Sequence, residues 1–231
     1  MKIRLSVLFI LFAAMGYAQN LYDIDSLKNR YANQAQDSLK FATLNHIVNY
    51  YMYQDPAKAS EYVQEELRLA EILKMPSGEA LAYYQMGILY NNTDQYDSAR
   101  YFYEKSLKMG KELNNGIYIS QAHHGLAIIE FSQGNLPAAD SINDQDLKYT
   151  TKFKDSIGMA LAYDFKGTIN QNRGYNTIAL ENVLKGLSLF EILGDSIRIA
   201  DSYNHLATLE YNVGNLEKAI QYNENALTIF E

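Results

Sequence analysis

The stretch YYQMGILYNNTDQYDSARYFY, residues 83–103, decides the fold. Tyr83, Met86, Gly87 and Tyr90 fall at i, i+3, i+4 and i+7, which is one face of a helix, and Ala99, Phe102, Tyr103, Ser106 and Leu107 trace a second. Asp94-Gln95-Tyr96 between them is turn-forming, so the segment reads helix, turn, helix. The pattern recurs every 40 residues, through Ala59, Ala99, Ala139, Ala179 and Ala219, with a second column twelve residues earlier at Ile47, Gly87, Ala127, Gly167 and Ala207. Turns are expected at Gly134-Asn135-Leu136-Pro137, Gly174-Tyr175-Asn176 and Gly214-Asn215-Leu216. Pro56 and Pro137 follow turns, where a helix's first turn tolerates proline because its N–H would be unpaired anyway. The two small columns place the crossing of each helix pair, where a larger side chain would push the helices apart. A single pair cannot bury its apolar faces, so neighbouring pairs must stack.

On these residues the chain resembles the tetratricopeptide repeat family. The signature of an aromatic, Leu-Gly, Tyr, then Ala and an aromatic is matched by Tyr83, Met86-Gly87, Tyr90, Ala99 and Tyr103. Tyr203-Leu206-Ala207 with Ala219, Tyr163-Gly167 with Ala179, and His123-Leu126-Ala127 with Ala139 follow it less completely, while Thr43-His46-Ile47-Tyr50 with Ala59 keeps the register. The resemblance covers about residues 36–231 and implies an all-α, right-handed α-solenoid of stacked antiparallel helix pairs, TPR-like. Five units are expected, at about 36–74, 75–114, 115–154, 155–194 and 195–231, the last truncated. The unit exceeds the family's usual length of about 34 residues, and the closing proline is missing. Asp155-Ser156-Ile157 and Asp195-Ser196-Ile197 read as N-caps that start the first helix early. HEAT-type repeats of about 40–47 residues are the alternative architecture; the Gly-Asn-Leu turns and small columns favour tetratricopeptide units. Residues 19–35 read as an N-terminal capping helix, from Asp23 to about Asn33. Leu227, Ile229 and Phe230 keep the helical pattern going to Glu231, so the chain is expected to stop inside a helix, as a fragment of a longer protein.

Composition agrees with a folded helical chain. Of 231 residues 48% are hydrophobic and 20% charged, with three Pro and 13 Gly. The absence of Cys excludes disulfides, cysteine nucleophiles, thiolate metal sites and a lipoprotein anchor. Lys2 and Arg4, the apolar run from Leu5 to Ala14 and the small residues of Gly16-Tyr17-Ala18 have the layout of a signal peptide, 1–18, cleaved after Ala18. An uncleaved membrane anchor is the other reading, but the run is shorter than the ~20 residues that span a bilayer. Without Lys2 and Arg4 the formal charge moves from −7 to −9. The expected location is exported, periplasmic or extracytoplasmic. An acidic chain lacks the clustered Lys and Arg that phosphates need, so no nucleic acid is expected.

Residues that could carry chemistry are few. His123 occupies the aromatic core column of Tyr83, Tyr163 and Tyr203 and reads as a packing residue, and His124 and His205 lie in units two apart, too distant to share a metal. Asp and Glu are spread evenly, as on solvated helix faces. Glu130 and Glu210 replace Tyr50 and Tyr90 in their column and read as carboxylates held by a Tyr hydroxyl or a Lys. There is no phosphate loop and no G-x-S-x-G nucleophile motif. The expectation is no enzyme, no catalytic residue, no cofactor and no metal.

A binding surface is better supported. The resemblance makes the first helices line a concave groove, whose stripe is Leu81, Gln85, Ile88 and Asn92, with equivalents Phe41, Asn45, Val48, Met52; Gln121, Gly125, Ile128, Ser132; Leu161, Phe165, Thr168, Asn172; and Asp201, His205, Thr208, Asn212. The strongest candidates for ligand contact are Asn45, Met52, Leu81, Gln85, Ile88, Asn92, Gln121, Ile128, Phe165, Asn172, His205 and Asn212. The stripe holds no Lys or Arg. Tetratricopeptide domains that hold acidic chaperone tails use a basic carboxylate clamp, so the ligand expected here is a protein or peptide that is not strongly acidic, its backbone met by Asn and Gln amides. Amides that merely keep the surface soluble are the plain alternative. Similarity to the exported N-terminal regions of bacterial sensor proteins suggests a sensory or interaction region of a longer signalling protein, with any membrane contact through a missing C-terminal segment. A glycan-binding or envelope-assembly role is the alternative.

Overall fold

The computed structural model describes residues 23–229, and all regular structure among them is α-helical. The helices are α1 (Ile24–Asn33), α2 (Ser38–Tyr51), α3 (Pro56–Ile72), α4 (Pro76–Asn92), α5 (Tyr96–Glu112), α6 (Gly116–Ser132), α7 (Leu136–Phe153), α8 (Ser156–Asn172), α9 (Asn176–Leu193), α10 (Ser196–Asn212) and α11 (Leu216–Leu227). The architecture is the all-α, TPR-like one of helix pairs. The signal-peptide reading of residues 1–18 lies outside the described residues. No helix of the described residues is long and apolar enough to cross a membrane.

Polar caps set where the helices begin. Asp37, Asp55, Asp155 and Asp195 accept backbone N–H bonds from the first turns of α2, α3, α8 and α10, and Asn115 and Asn135 do the same for α6 and α7. Each cap satisfies an N–H that the helix leaves unpaired and is worth about 1 kcal/mol.

The chain forms two compact units that part between Phe102 and Tyr103, inside α5. In the first unit α1 to α4 pack in sequence. Leu27 of α1 is buried with Ile47, Val48, Tyr51 and Met52, and Ile24 and Tyr31 flank it, so α1 seals the face of the first pair. Ala59, Val63, Ala82, Met86 and Leu89 complete that core. In the second unit α6 to α11 likewise pack in sequence. Leu206 and Leu209 of α10 are buried against Ala179, Val183 and Leu187 of α9, each such side chain contributing about 1.5–3 kcal/mol. Arg173, the C-cap of α8, donates to Asp140 Oδ2 at 2.7 Å and to the Leu136 carbonyl at 3.1 Å, while Lys166 pairs with Asp140 and Asp144, so charge reinforces the contact of α7 with α8.

The small columns sit where close approach demands them. Ala59, Ala99, Ala139, Ala179 and Ala219 are between 0% and 6% exposed. A Cβ on Gly167 of α8 would run into the Val183 side chain and lie 3.3 Å from the Ala179 carbonyl oxygen of α9, so that pair crosses on Gly167. A further small column lies on the first helices at Ala80, Ser120, Ala160 and Ala200, all buried.

Two expectations are corrected. The acidic residues are not all on solvated faces: Glu66 of α3 is 0% exposed and Asp146 of α7 is 1% exposed. They belong to one 40-residue column with Ser106, Gly186 and Ala226, which faces inward and is otherwise small. Among the described residues the last helix ends at Leu227 and passes into a turn at Thr228 and Ile229, where the Ile229 N–H reaches the Ala226 carbonyl at 3.4 Å, one residue short of the helical spacing.

Candidate first-helix binding face

In the first unit the face is built by α2 and α4. Gln85 Nε2 donates to Asn45 Oδ1 at 2.9 Å, and Asn49 Nδ2 reaches the same oxygen at 3.3 Å, so an amide run ties two first helices together. Gln85 is 2% exposed, and its Oε1 is sealed from water with no hydrogen-bond partner. Leu81 and Ile88 are half-buried beside it, Asn92 is exposed, and Met52 is packed into the core at 3% exposure.

In the second unit α6, α8 and α10 supply the face. Gln121 and Ile128 are half-buried, and Asn172 and Asn212 are exposed. Asn172 Nδ2 donates to the Thr168 carbonyl, one turn back along its own helix. Phe165 is buried, with its ring 5.2 Å from His124 and 5.6 Å from Phe131 in edge-on contacts. Its cluster with Ala127, Ala139 and Ile169 takes in Ile128. His205 is half-buried, with Nδ1 3.2 Å from Asp164 Oδ1 and Nε2 3.3 Å from Gln171 Oε1. Partial burial and the nearby Asp164 charge push the Asp201 carboxyl above its usual range.

Met52, Gln85 and Phe165 therefore present little surface, because adjacent first helices pack side by side and cover that edge of the stripe. Of the twelve candidates Asn92, Asn172 and Asn212 face solvent, with Asn45, Leu81, Ile88, Gln121, Ile128 and His205 half-covered. Asp164 and Gln171 belong to the face and were missed. Their signal is positional: each precedes a stripe residue by one, a rotation of about 100° around the helix.

The singled-out histidines and carboxylates resolve differently. His123 is buried and its ring lies 5.3 Å from Tyr149, a packing contact; burial, then the Lys111 charge, lower its pKa to about 4. His124 is half-buried overall, but its Nδ1 is sealed without a hydrogen-bond partner. Burial, then Arg198, bring its pKa also to about 4. Glu130 and Glu210 hold the turns that follow them. Asn135 Nδ2 donates to Glu130 Oε2 at 2.8 Å and Asn215 Nδ2 to Glu210 Oε2 at 2.7 Å. The backbone N–H of each Asn closes on the carbonyl of the same Glu, with Gly134 and Gly214 at φ +79° and +88°. Each carboxylate is held by an Asn amide, and Lys218 Nζ adds a 3.7 Å contact to Glu210. Among the described residues no group of three His, Cys, Asp or Glu could hold a metal ion.

The family model for the tetratricopeptide repeat matches residues 80–124 and 199–231. Those two stretches are tetratricopeptide repeats. The HEAT alternative is thereby set aside. Response regulator aspartate phosphatase E of Bacillus subtilis (strain 168) is 30% identical over 115 residues, which is 49% of this chain and 30% of that protein; the chain thus spans under a third of that relative's length. Among solved structures, BtubC (BKLC) from P. vanneervenii has a TM-score of 0.65 at 18% identity, over 93% of this chain and 89% of that one. Aspartyl phosphate phosphatase F from Bacillus subtilis has a TM-score of 0.66 at 16% identity, over 90% and 54%. A putative kinesin light chain from Podosopora anserina, with nearly identical TPR-like repeats, has 0.58 at 14% identity, over 84% and 97%. At these identities the tetratricopeptide structures establish a shared fold.

Proposed function

We propose that this tetratricopeptide chain is a non-enzymatic scaffold that binds an extended protein or peptide segment on its first-helix faces. The observation that carries this reading is the amide run of Asn45, Asn49 and Gln85, flanked by half-buried Leu81 and Ile88 and continued by exposed Asn92. Amides pair with the backbone of an extended peptide, and apolar neighbours hold its side chains. The stripe has no Lys or Arg, and Asp164 and Asp201 add negative charge in the second unit, so a strongly acidic ligand is repelled. The relative named for action on response regulators is itself directed at proteins, which supports a protein-directed role. Panning a random peptide library on the immobilised chain tests the reading: extended sequences that mix apolar and neutral or basic residues should enrich. Enrichment of acid-rich tails would overturn it.

The reading extends to location and context. The first 18 residues act as an export signal, and the chain works outside the cytoplasm as the sensory or interaction region of a signalling protein. Amino-terminal sequencing of the protein recovered from expressing cells should begin at Gln19; a chain that keeps Met1 and stays in the cytosolic fraction would contradict it.

A further inference from the structure

Three corners of the second unit repeat one pattern: Leu113-Asn114-Asn115-Gly116-Ile117, Phe153-Lys154-Asp155-Ser156-Ile157 and Leu193-Gly194-Asp195-Ser196-Ile197. The matching stretch of the first unit, Leu73-Lys74-Met75-Pro76-Ser77, has neither the polar cap nor the isoleucine. Capping accounts for Asn115, Asp155 and Asp195, whose side chains accept the first N–H groups of α6, α8 and α10. Folding leaves the isoleucines about half in solvent. Ile117, Ile157 and Ile197 are 57%, 53% and 46% exposed, and Leu113 and Leu193 are each 39% exposed. One exposed isoleucine is ordinary. Three in the same register, each with an apolar residue four positions earlier, make a patch of the kind that marks an interaction site.

The first two corners also touch. A Cβ on Gly116 would lie 2.6 Å from the Phe153 ring, so that ring lies across the start of α6. Beside it opens a cleft of about 420 Å³, lined by Leu113, Asn115, Gly116, Ile117, Phe153 and Asp155.

We propose that this edge of the second unit binds the same edge of a second copy of the chain, about a two-fold axis at Ile157. The step from corner to corner is one repeat, so the pattern is self-complementary. With Ile157 on the axis, Ile117 meets Ile197 of the partner subunit, which enters the Leu113–Phe153 cleft, and the reverse contact follows by symmetry. Charge permits it. The chain carries −7, yet the residues within two positions of the corners include four basic side chains (Lys111, Lys152, Lys154 and Arg198) and four acidic ones. The repulsion that opposes self-association elsewhere is absent along this edge.

Light scattering after size exclusion should show a mass rising with concentration toward twice the 26.3 kDa monomer. Ile157→Glu should restore the monomer mass with an unchanged circular dichroism spectrum and, at concentrations where the wild type is monomeric, an unchanged thermal midpoint. The chain has no cysteine, so single cysteines report the geometry. Under mild oxidation Ile157→Cys should give a disulfide dimer, and Ile117→Cys mixed with Ile197→Cys should cross-link far more than either alone. A 26.3 kDa mass at every concentration overturns the proposal. So does a dimer that survives Ile157→Glu, or one in which Ile117→Cys cross-links to Ile157→Cys, the mark of a head-to-tail contact.

Discussion

Replacing Glu66 by Gln should leave the first unit's stability unchanged in acid and raise it in alkali. Glu66 is fully buried on α3, neither carboxyl oxygen has a hydrogen-bond partner, and burial pushes its pKa up to about 8. The folded pKa lies above the unfolded value, near 4.5. Below about pH 4.5 the carboxyl is protonated in both states and adds no cost. Between 4.5 and 8 the folded chain keeps a proton that the unfolded chain releases, so stability falls by about 1.4 kcal/mol per pH unit and levels off above 8. The full span is on the order of 5 kcal/mol, an upper limit because local opening lets water reach an ionised carboxylate first. Gln has the same shape and no charge. Urea unfolding of both proteins, followed by circular dichroism from pH 5 to 9, gives the difference curve. Asp146 contributes to stability with the same sign, and His123 and His124, lowered to about 4, with the opposite sign below about 6.5; subtraction removes all three because both proteins share them. A difference that does not change with pH, or a wild type that gains on the variant as pH rises, would refute the buried-carboxyl argument.

Gly167→Val should cost about 1–3 kcal/mol by forcing α8 away from Val183 and lower the thermal midpoint by several degrees, whereas the same change at exposed Gly174 would test backbone strain instead. Asn215→Ala should cost about 1–2 kcal/mol by leaving buried Glu210 short of its amide partner, and a double-mutant cycle with Glu210→Gln should show coupling between the two; additive effects would deny the bond. Asp155→Ala, measured by thermal unfolding, should cost about 1 kcal/mol through the lost cap on α8, and Asp155→Asn much less.

The helix pairs were legible because the 40-residue period and the alanine column are consequences of local spacing and of one repeated crossing. Gly167 shows why: its missing side chain is demanded by Val183, sixteen residues on, within reach of a pattern reading. The face was less legible. A helical wheel places Gln85 and Phe165 on the stripe beside Asn92, but it treats each helix alone, and only the packing of successive first helices shows Gln85 sealed against Asn45 and Phe165 against His124 and Phe131. Glu66 and Asp146 were missed because acidic residues were weighed as an average over helix faces. Their column, shared with Ser106, Gly186 and Ala226, carries the inward-facing signal. Glu130 with Asn135 and Glu210 with Asn215 were both visible five residues apart, yet the pairing needed the turn geometry that Gly134 and Gly214 supply.

The claim that the first-helix face binds an extended peptide meets its most direct test in the affinity of a panned peptide for the Asn92→Ala/Asn172→Ala chain. Both residues are exposed, so the thermal midpoint should hold within about a degree while affinity falls roughly tenfold, the loss of one or two hydrogen bonds. Unchanged affinity would contradict the claim, and a large fall in the midpoint would show that these asparagines support the fold instead.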